Sequence, residues 1–238
     1  MRATDSGDNA KVSVILPVYN EERNLALNFT KIYRAAAALH DFEIIIVDNG
    51  STDNTGKIAT RFAKMKHVKA IKLPLKGRGR ALKSGIRAAD GGVIGYMDID
   101  LAVPLRYLDV AVEKMHEGND VVIGSRYMNT DVRRDFVRLV ASRAYNWMLN
   151  LITGSRLNDH QCGFKFWSRS FIKGEATKAW DNYWFFDTET LLDAQKLRLR
   201  ICQLPVFWRE HKESKVKASD PAYFIRAMLR YVATSGRV

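Results

Sequence analysis

The stretch Phe42–Gly56, FEIIIVDNGSTDNTG, runs an unbroken apolar segment straight into a cluster of turn residues. Ile44–Val47 are contiguous and β-branched, which suits a strand covered on both faces rather than one with a wet side. Asn49–Asn54 supplies the Asn, Gly, Ser and Asp that close turns, and a helix is predicted from Thr55 to Met65. The same unit recurs outward in both directions. Upstream, KVSVILPVYN (Lys11–Asn20) reads as a buried strand ended by Pro17 and Asn20. Glu21–His40 reads as a helix, with Leu25, Phe29, Ile32, Tyr33 and Ala36 at helical spacing. Downstream come a strand in VKAIKLP (Val68–Pro74), a Gly/Arg loop, a helix over Ala81–Ala89 and a fourth strand in GVIGYMDID (Gly92–Asp100). Strands alternating with helices predict right-handed βαβ units on a parallel sheet, an α/β fold. Ligands on such sheets lie at the carboxyl ends of the strands. Asp48, Asp98 and Asp100 all fall there.

Beyond Pro104 the pattern changes. Helices are predicted over Tyr107–Glu117, Phe136–Ile152 and Trp184–Leu197. DVVIGSRY (Asp120–Tyr127) and RICQLPVFWRE (Arg200–Glu210) read as strands. The chain has 238 residues, enough for one large domain. Its formal net charge is +12, which suits an anionic partner: nucleic acid, lipid headgroups or phosphorylated small molecules. Cys162 and Cys202 are too few for a disulfide framework and fit a reduced compartment. The opening MRATDSGDNA lacks the apolar core of a signal peptide and reads as a disordered tail over residues 1–10. No window is apolar over the length needed to span a bilayer.

Strand alternation in GVIGYMDID predicts that Asp98 and Asp100 project from one side. Two adjacent carboxylates call for a cation between them, and hard oxygen ligands suit Mg2+ or Mn2+. KGRGRALKSG (Lys76–Gly85) places Lys76 and Arg78 ahead of a helix N-terminus, a combination able to hold a pyrophosphate. A solvated basic loop is the plainer alternative. For Asp48 the plainer alternative is a cap on the turn before Gly50.

VSVILPVYNEERNL, IIIVDNGSTDNT and MDID, in this order, resemble glycosyltransferase family 2 enzymes of the Rossmann-like GT-A fold. LNDHQCGFKFWSR, YWFFDTETLLDAQ and PVFWREHKESKV are similar to the dolichyl-phosphate glucosyltransferases, and also to the dolichyl-phosphate mannose synthases. The resemblance runs from Val12 to Lys217. It implies that Pro17, Tyr19 and Glu21 line a nucleotide pocket, that Asp48 accepts from the base, and that Asp98 and Asp100 hold the cation. It implies that Arg126, Arg138 and Ser142 hold a lipid phosphate and that Arg209 reaches the donor diphosphate, with Lys215 adding positive charge. Asp159 and Gln161 come from a segment that abuts the sugar in relatives. Where mannose synthases carry a metal-joining glutamine this chain has Ala102, which favours glucose.

The implied reaction moves a hexose from a nucleotide sugar to polyprenyl (dolichyl) phosphate. A phosphate monoester is already anionic at neutral pH, with a second pKa near ~6, so it needs positioning and cations more than a base. UDP-glucose is the first-choice donor and GDP-mannose the runner-up. A relative acting on a hydroxyl would need a carboxylate base, for which Asp187 and Glu189 are the candidates; here they are expected to be structural or to touch sugar. A nucleotide-binding or membrane-surface module without catalysis is the non-enzymatic alternative. His160 and His211 lack a second histidine at ligand spacing, and Cys162, Trp167 and Trp184 read as core. Basic residues cluster around apolar helices rather than aromatic stacking platforms, which argues against nucleic acid. The expected division is a catalytic domain over 11–217 and an amphipathic, membrane-surface segment over 218–238. The expected place is the cytoplasmic face of a membrane, held peripherally or by a segment outside this chain.

Overall fold

The computed structural model describes residues 10–128, 132, 133, 136–209 and 221–238, with the backbone alone for 132, 133, 136–141, 176, 177 and 221. Its first half follows the predicted alternation: β1 (Val12–Val18), α1 (Glu22–Ala37), β2 (Phe42–Asp48), α2 (Thr55–Phe62), β3 (Val68–Lys72), α3 (Arg78–Ala88) and β4 (Val93–Met97). The second half runs α4 (Tyr107–His116), β5 (Val121–Ser125), β6 (Val132–Arg133), α5 (Phe136–Thr153), β7 (Phe164–Ser168), α6 (Arg169–Lys178), α7 (Phe186–Lys196), β8 (Ile201–Pro205), β9 (Trp208–Arg209) and α8 (Pro221–Ser235).

Seven strands form one sheet in the order β3-β2-β1-β4-β7-β5-β8, a mostly parallel arrangement. Only β7 runs against its neighbours, pairing antiparallel with β4 and β5. The sheet is covered on both faces, which explains the continuous apolar strands. Ile44 and Ile46 of β2 face one core with Leu25, Phe29 and Ile32 of α1. Ile45 and Val47 face the other, with Leu82 and Ile86 of α3 and Leu191 of α7. A third cluster joins Leu149 of α5, Leu192 of α7 and Ala227, Met228 and Tyr231 of α8. The 217/218 boundary lies outside the described residues, but α8 packs into this cluster rather than standing apart.

Three expectations change. The fourth strand stops at Met97, so the two aspartates stand on a turn beyond it, where Leu101 takes the left-handed φ of 57°. Strand alternation therefore does not align their side chains; between them Ile99 is buried, and its carbonyl accepts from Asn28 Nδ2 at 3.0 Å. The late strand divides in two. Pro205 ends β8 in the main sheet, and β9 pairs with β6 in a separate ribbon. Finally, FKFWS forms a strand that the sequence reading passed over.

Candidate active site

The carboxyl ends of β1 and β2 are stitched together by their loops. Asn20 N–H donates to Ser51 Oγ at 2.9 Å, Thr52 N–H to Asn20 Oδ1 at 2.8 Å and Glu21 N–H to Thr55 Oγ1 at 2.8 Å. Asn54 N–H donates to Glu22 Oε2 at 3.0 Å. Pro17, Tyr19 and Glu21 line this seam as half-buried residues. Buried Asp48 divides its carboxylate: Oδ1 accepts from Ser51 N–H at 3.0 Å, while Oδ2 has no hydrogen-bond partner among the described residues. One oxygen thus caps the turn, and the other is buried against Gly56, where a Cβ would lie 2.6 Å from it. Lys76 Nζ stands 4.0 Å from the centre of the Tyr19 ring.

Three backbone N–H groups at the start of α3 are already engaged. Gly77 N–H donates to Asn49 Oδ1 at 2.7 Å, Gly79 N–H to Tyr183 O at 2.9 Å and Arg80 N–H to Asn182 O at 3.0 Å. Gly79 is there for close approach: a Cβ would lie 2.8 Å from both Asp181 O and Phe186 Cβ. Two of these donors are spent on Asn182 and Tyr183 and one on Asn49, which leaves the side chains of Lys76 and Arg78 as the cations available to an anion here.

Arg78 is the centre of the arrangement. Its Nη2 donates to Asp98 Oδ1 at 2.9 Å and its Nε lies 3.5 Å from Asp187 Oδ2. The guanidinium sits 5.2 Å from the Tyr96 ring centre and 5.3 Å from that of Trp184. Behind it, Asp187 accepts from Tyr96 OH at 2.5 Å and meets Lys165 Nζ at 3.2 Å, while Lys165 also donates to Cys162 O at 2.6 Å. Lys165 and Asp187 are buried. The sequence Lys165–Asp187–Arg78–Asp98 is therefore a row of alternating charges that ends in solvent, where the Asp98 side chain is 36% exposed. Burial works against the Arg78 charge, but Asp98, Tyr96 and Asp187 outweigh it and hold its pKa well above the ordinary arginine value. Burial, then the Asp187 charge, raises the Tyr96 phenol well above its usual range.

Asp98 and Asp100 fit a hard divalent cation. Both are half-buried carboxylates at the sheet's ligand end, and Asp98 is pressed so closely on Gly163 that a Cβ there would collide with it. Asp100 Oδ1 accepts from Ala102 N–H at 3.0 Å, which pins the turn. Among the described residues no group of three or more His, Cys, Asp or Glu gathers for a metal. Two carboxylates completed by substrate phosphates are the usual Mg2+ arrangement.

The other half of the site begins past β5. Arg126 makes a bidentate pair with Asp159, Nε to Oδ2 at 2.6 Å and Nη2 to Oδ1 at 2.8 Å, and its own N–H reaches Oδ2 at 3.1 Å. Burial would raise the Asp159 pKa, but Arg126 more than offsets it and the net shift is downward. Asp159 is fully buried, its carboxylate turned to Arg126 and to Gln161 N–H rather than out to a sugar. Gln161 Nε2 donates to Thr188 Oγ1 at 2.9 Å. Arg126 lies 5.6 Å from the ring centre of Trp208, which lines a small cavity with Asp98, Ala102 and Gly163. Tyr127 OH donates to Ser142 Oγ at 2.6 Å, so Ser142 is brought to the end of β5. Arg138 is on α5, its side chain outside the described part; Lys215 and His211 lie outside the described residues. Exposed Arg209 joins the site through its backbone, whose N–H donates to Ala102 O at 3.0 Å.

His160 is a core residue. Nε2 meets Ser155 Oγ at 2.8 Å, Nδ1 meets Asn146 Oδ1 at 3.0 Å, and burial lowers its pKa to about 3. Cys162 and Trp167 are likewise core, with burial pushing the Cys162 thiol up to about 12. Trp184 belongs to the site, against Arg78. The sequence reading missed Tyr96, Lys165 and Trp208. A lysine alternating with aromatic residues in FKFWS was the available signal, since one face of that strand had to bury it.

The family model described as glycosyl transferase family 2 matches residues 13–180. Glycosyltransferase AglD of Haloferax volcanii is 38% identical over 223 residues, covering 90% of this chain and 35% of that protein. A dolichyl-phosphate beta-glucosyltransferase of Dictyostelium discoideum is 31% identical over 227 residues, covering 88% of this chain and 69% of that one. The chain thus spans about a third of the first relative's length and about two thirds of the second's. Among solved structures, glucosyl-3-phosphoglycerate synthase of M. tuberculosis superimposes with a TM-score of 0.68 at 22% identity, covering 97% of this chain and 82% of that one. That likeness carries the GT-A fold.

Proposed function

This chain belongs to glycosyltransferase family 2, and from that premise we propose that it transfers a hexose from a nucleotide sugar to polyprenyl phosphate, with UDP-glucose and dolichyl phosphate as first-choice substrates. The observation that carries the acceptor class is the state of the two carboxylates where a hydroxyl-activating base was expected. Asp187 is buried among Tyr96, Lys165 and Arg78. Glu189 turns to the backbone N–H groups of Trp180 and Asp181 at 3.1 and 3.3 Å. Neither faces an incoming hydroxyl, which supports an acceptor that brings its own negative charge.

The lipid phosphate oxygen attacks C1 of the sugar, the bond from C1 to the nucleotide diphosphate breaks, and the anomeric centre inverts. No proton has to be removed from the nucleophile at neutral pH. Arg126, stiffened by Asp159, and Ser142, beside Tyr127, receive the phosphate; guanidinium groups suit this because their fork bonds two oxygens. Asp48, at the end of β2, serves the base, and Lys76, Arg78 and Arg209 serve the donor diphosphate. A Mg2+ or Mn2+ held by Asp98 and Asp100 would neutralise the charge that develops on the leaving diphosphate. Ala102 stands where mannose synthases carry a metal-joining glutamine and has no side-chain oxygen to offer, which supports the glucose-type rather than the mannose-type site.

Among the described residues no helix is long and apolar enough to cross a membrane. Helices α5 and α8 nevertheless leave Trp147 and Leu229 exposed at 68% and 55%, with Arg143, Arg226 and Arg230 also exposed. That composition supports peripheral contact with an anionic lipid surface, on the cytoplasmic side. The test is incubation with radiolabelled UDP-glucose or GDP-mannose, dolichyl phosphate and Mg2+ or Mn2+. Label is expected in the organic phase from UDP-glucose. Label only from GDP-mannose would reassign the donor, and none from either would overturn the proposal.

A further inference from the structure

We propose that Arg78 is an exchangeable counter-ion: it neutralises Asp98 before the cation arrives, is displaced by it, and is kept by Asp187 within reach of the donor diphosphate. The inference rests on the proposed metal-assisted use of a nucleotide diphosphate. Arg78 Nη2 holds Asp98 Oδ1 at 2.9 Å, the oxygen of a carboxylate assigned to the cation. A cation and a guanidinium cannot both occupy that oxygen without like-charge repulsion. The Asp98 end of the row is open, whereas the Asp187 end is buried and anchored by Lys165 Nζ at 3.2 Å and Tyr96 OH at 2.5 Å. Loss of the Asp98 contact therefore leaves Arg78 tethered through Nε, 3.5 Å from Asp187 Oδ2, and between the faces of Tyr96 and Trp184. Its Nη groups are then available to phosphate oxygens, which guanidinium binds as a fork. The backbone N–H groups of Gly79 and Arg80 are occupied by the 182–183 segment, so the Arg78 side chain serves the diphosphate in their place.

The exchange has an unusual signature, because one residue opposes the metal and favours the nucleotide. Removing it should strengthen the first and weaken the second, whereas loss of a merely structural residue weakens both. Linkage adds that UDP and Mn2+ should promote each other's binding through Arg78.

The probe is Mn2+, followed by the loss of its free-ion paramagnetic resonance signal on addition of the protein without nucleotide. Arg78→Gln is expected to bind Mn2+ roughly three- to ten-fold more tightly than the wild type, as an ion-pair competitor is lost. With Mn2+ saturating, the same variant should bind UDP about ten-fold more weakly, as charge-assisted hydrogen bonds are lost. Arg78→Lys, which keeps the charge but not the fork, should fall between on Mn2+ and near Arg78→Gln on UDP. Unchanged or weaker Mn2+ binding by Arg78→Gln, with Arg78→Lys folded and behaving alike, overturns the inference, as does absence of Mn2+ binding in all three proteins. Because this readout uses neither sugar nor lipid, it is separable from the proposed function. Intact metal exchange with no glucose transfer would sink the latter alone.

Discussion

The guanidinium groups of Arg126 and Arg78 are held in opposite ways. Arg126 closes on Asp159 with three donors on one fully buried carboxylate, and the pair is complete in itself. Arg78 is shared between two carboxylates, one buried and one 36% exposed, so its row is open at one end. A closed pair stiffens: the loop after β5 is locked to the 158–163 segment, and its outer surface is offered to a ligand without changing partners. An open row can exchange partners, because its terminal carboxylate is solvated whether or not Arg78 stays. The Arg126 side of the site is thus preformed, and the Arg78 side is open to exchange.

The largest effect that would break this contrast is on stability. Arg126→Gln leaves Asp159 charged, buried and without its guanidinium, and should cost about 3–5 kcal/mol in urea denaturation at neutral pH. Arg78→Gln should cost only about 1–2 kcal/mol, since Asp98 remains solvated and Asp187 keeps Lys165 and Tyr96. Equal losses would mean that the two sites are held alike. Next in size, Asp100→Ala should lower transfer of glucose to the organic phase by roughly 10²–10³-fold in a protein that melts near the wild-type temperature, the scale of lost leaving-group stabilisation.

A third test uses pH. Burial pushes Glu189 up from the ordinary value of 4.5 to about 7. Between these values the folded protein holds a proton that the unfolded chain has released. Its stabilising contribution is full below 4.5 and is lost as pH rises through about 7. Glu189→Gln should flatten that part of the melting-temperature profile, with the variant gaining on the wild type as pH rises from 5 toward 8. A profile unchanged by the substitution would show that Glu189 is ionised throughout. The smallest effect belongs to the link between α8 and the site. Tyr223 OH donates to Asp181 Oδ2 at 2.5 Å, and Asp181 Oδ1 accepts from Phe185 N–H at 3.1 Å. Tyr223→Phe should lower stability by about 1–2 kcal/mol, and a thermal melt would register it.

Much of the donor side was legible in the sequence, and the reasons are local. Apolar runs such as Ile44–Val47 fix buried strands, and turn residues after them fix the ligand end, so Asp48 and the aspartate pair could be placed without coordinates. The Arg126 side was less legible because its geometry depends on contacts between distant segments. Nothing near Arg126 in the chain announces Asp159 as its partner, and the strand FKFWS was hidden because an antiparallel insertion has no crossover helix to mark it. The GRG loop shows the same dependence on distant segments. Its glycines fit a phosphate cradle, but they admit the 181–183 segment, a hundred residues away. Alternation also failed at Asp98, since the strand ended one residue before it.

The central claim is that the acceptor's own ionisation, and not an enzyme carboxylate, makes the nucleophile. The pH dependence of kcat/KM with two acceptors tests it most directly: polyprenyl phosphate and a polyprenyl phosphonate of higher second pKa. An acid limb is expected near ~6 for the phosphate, moving upward with the phosphonate and unaltered in Glu189→Gln. A limb that stays in place for both acceptors and disappears in Glu189→Gln would contradict it.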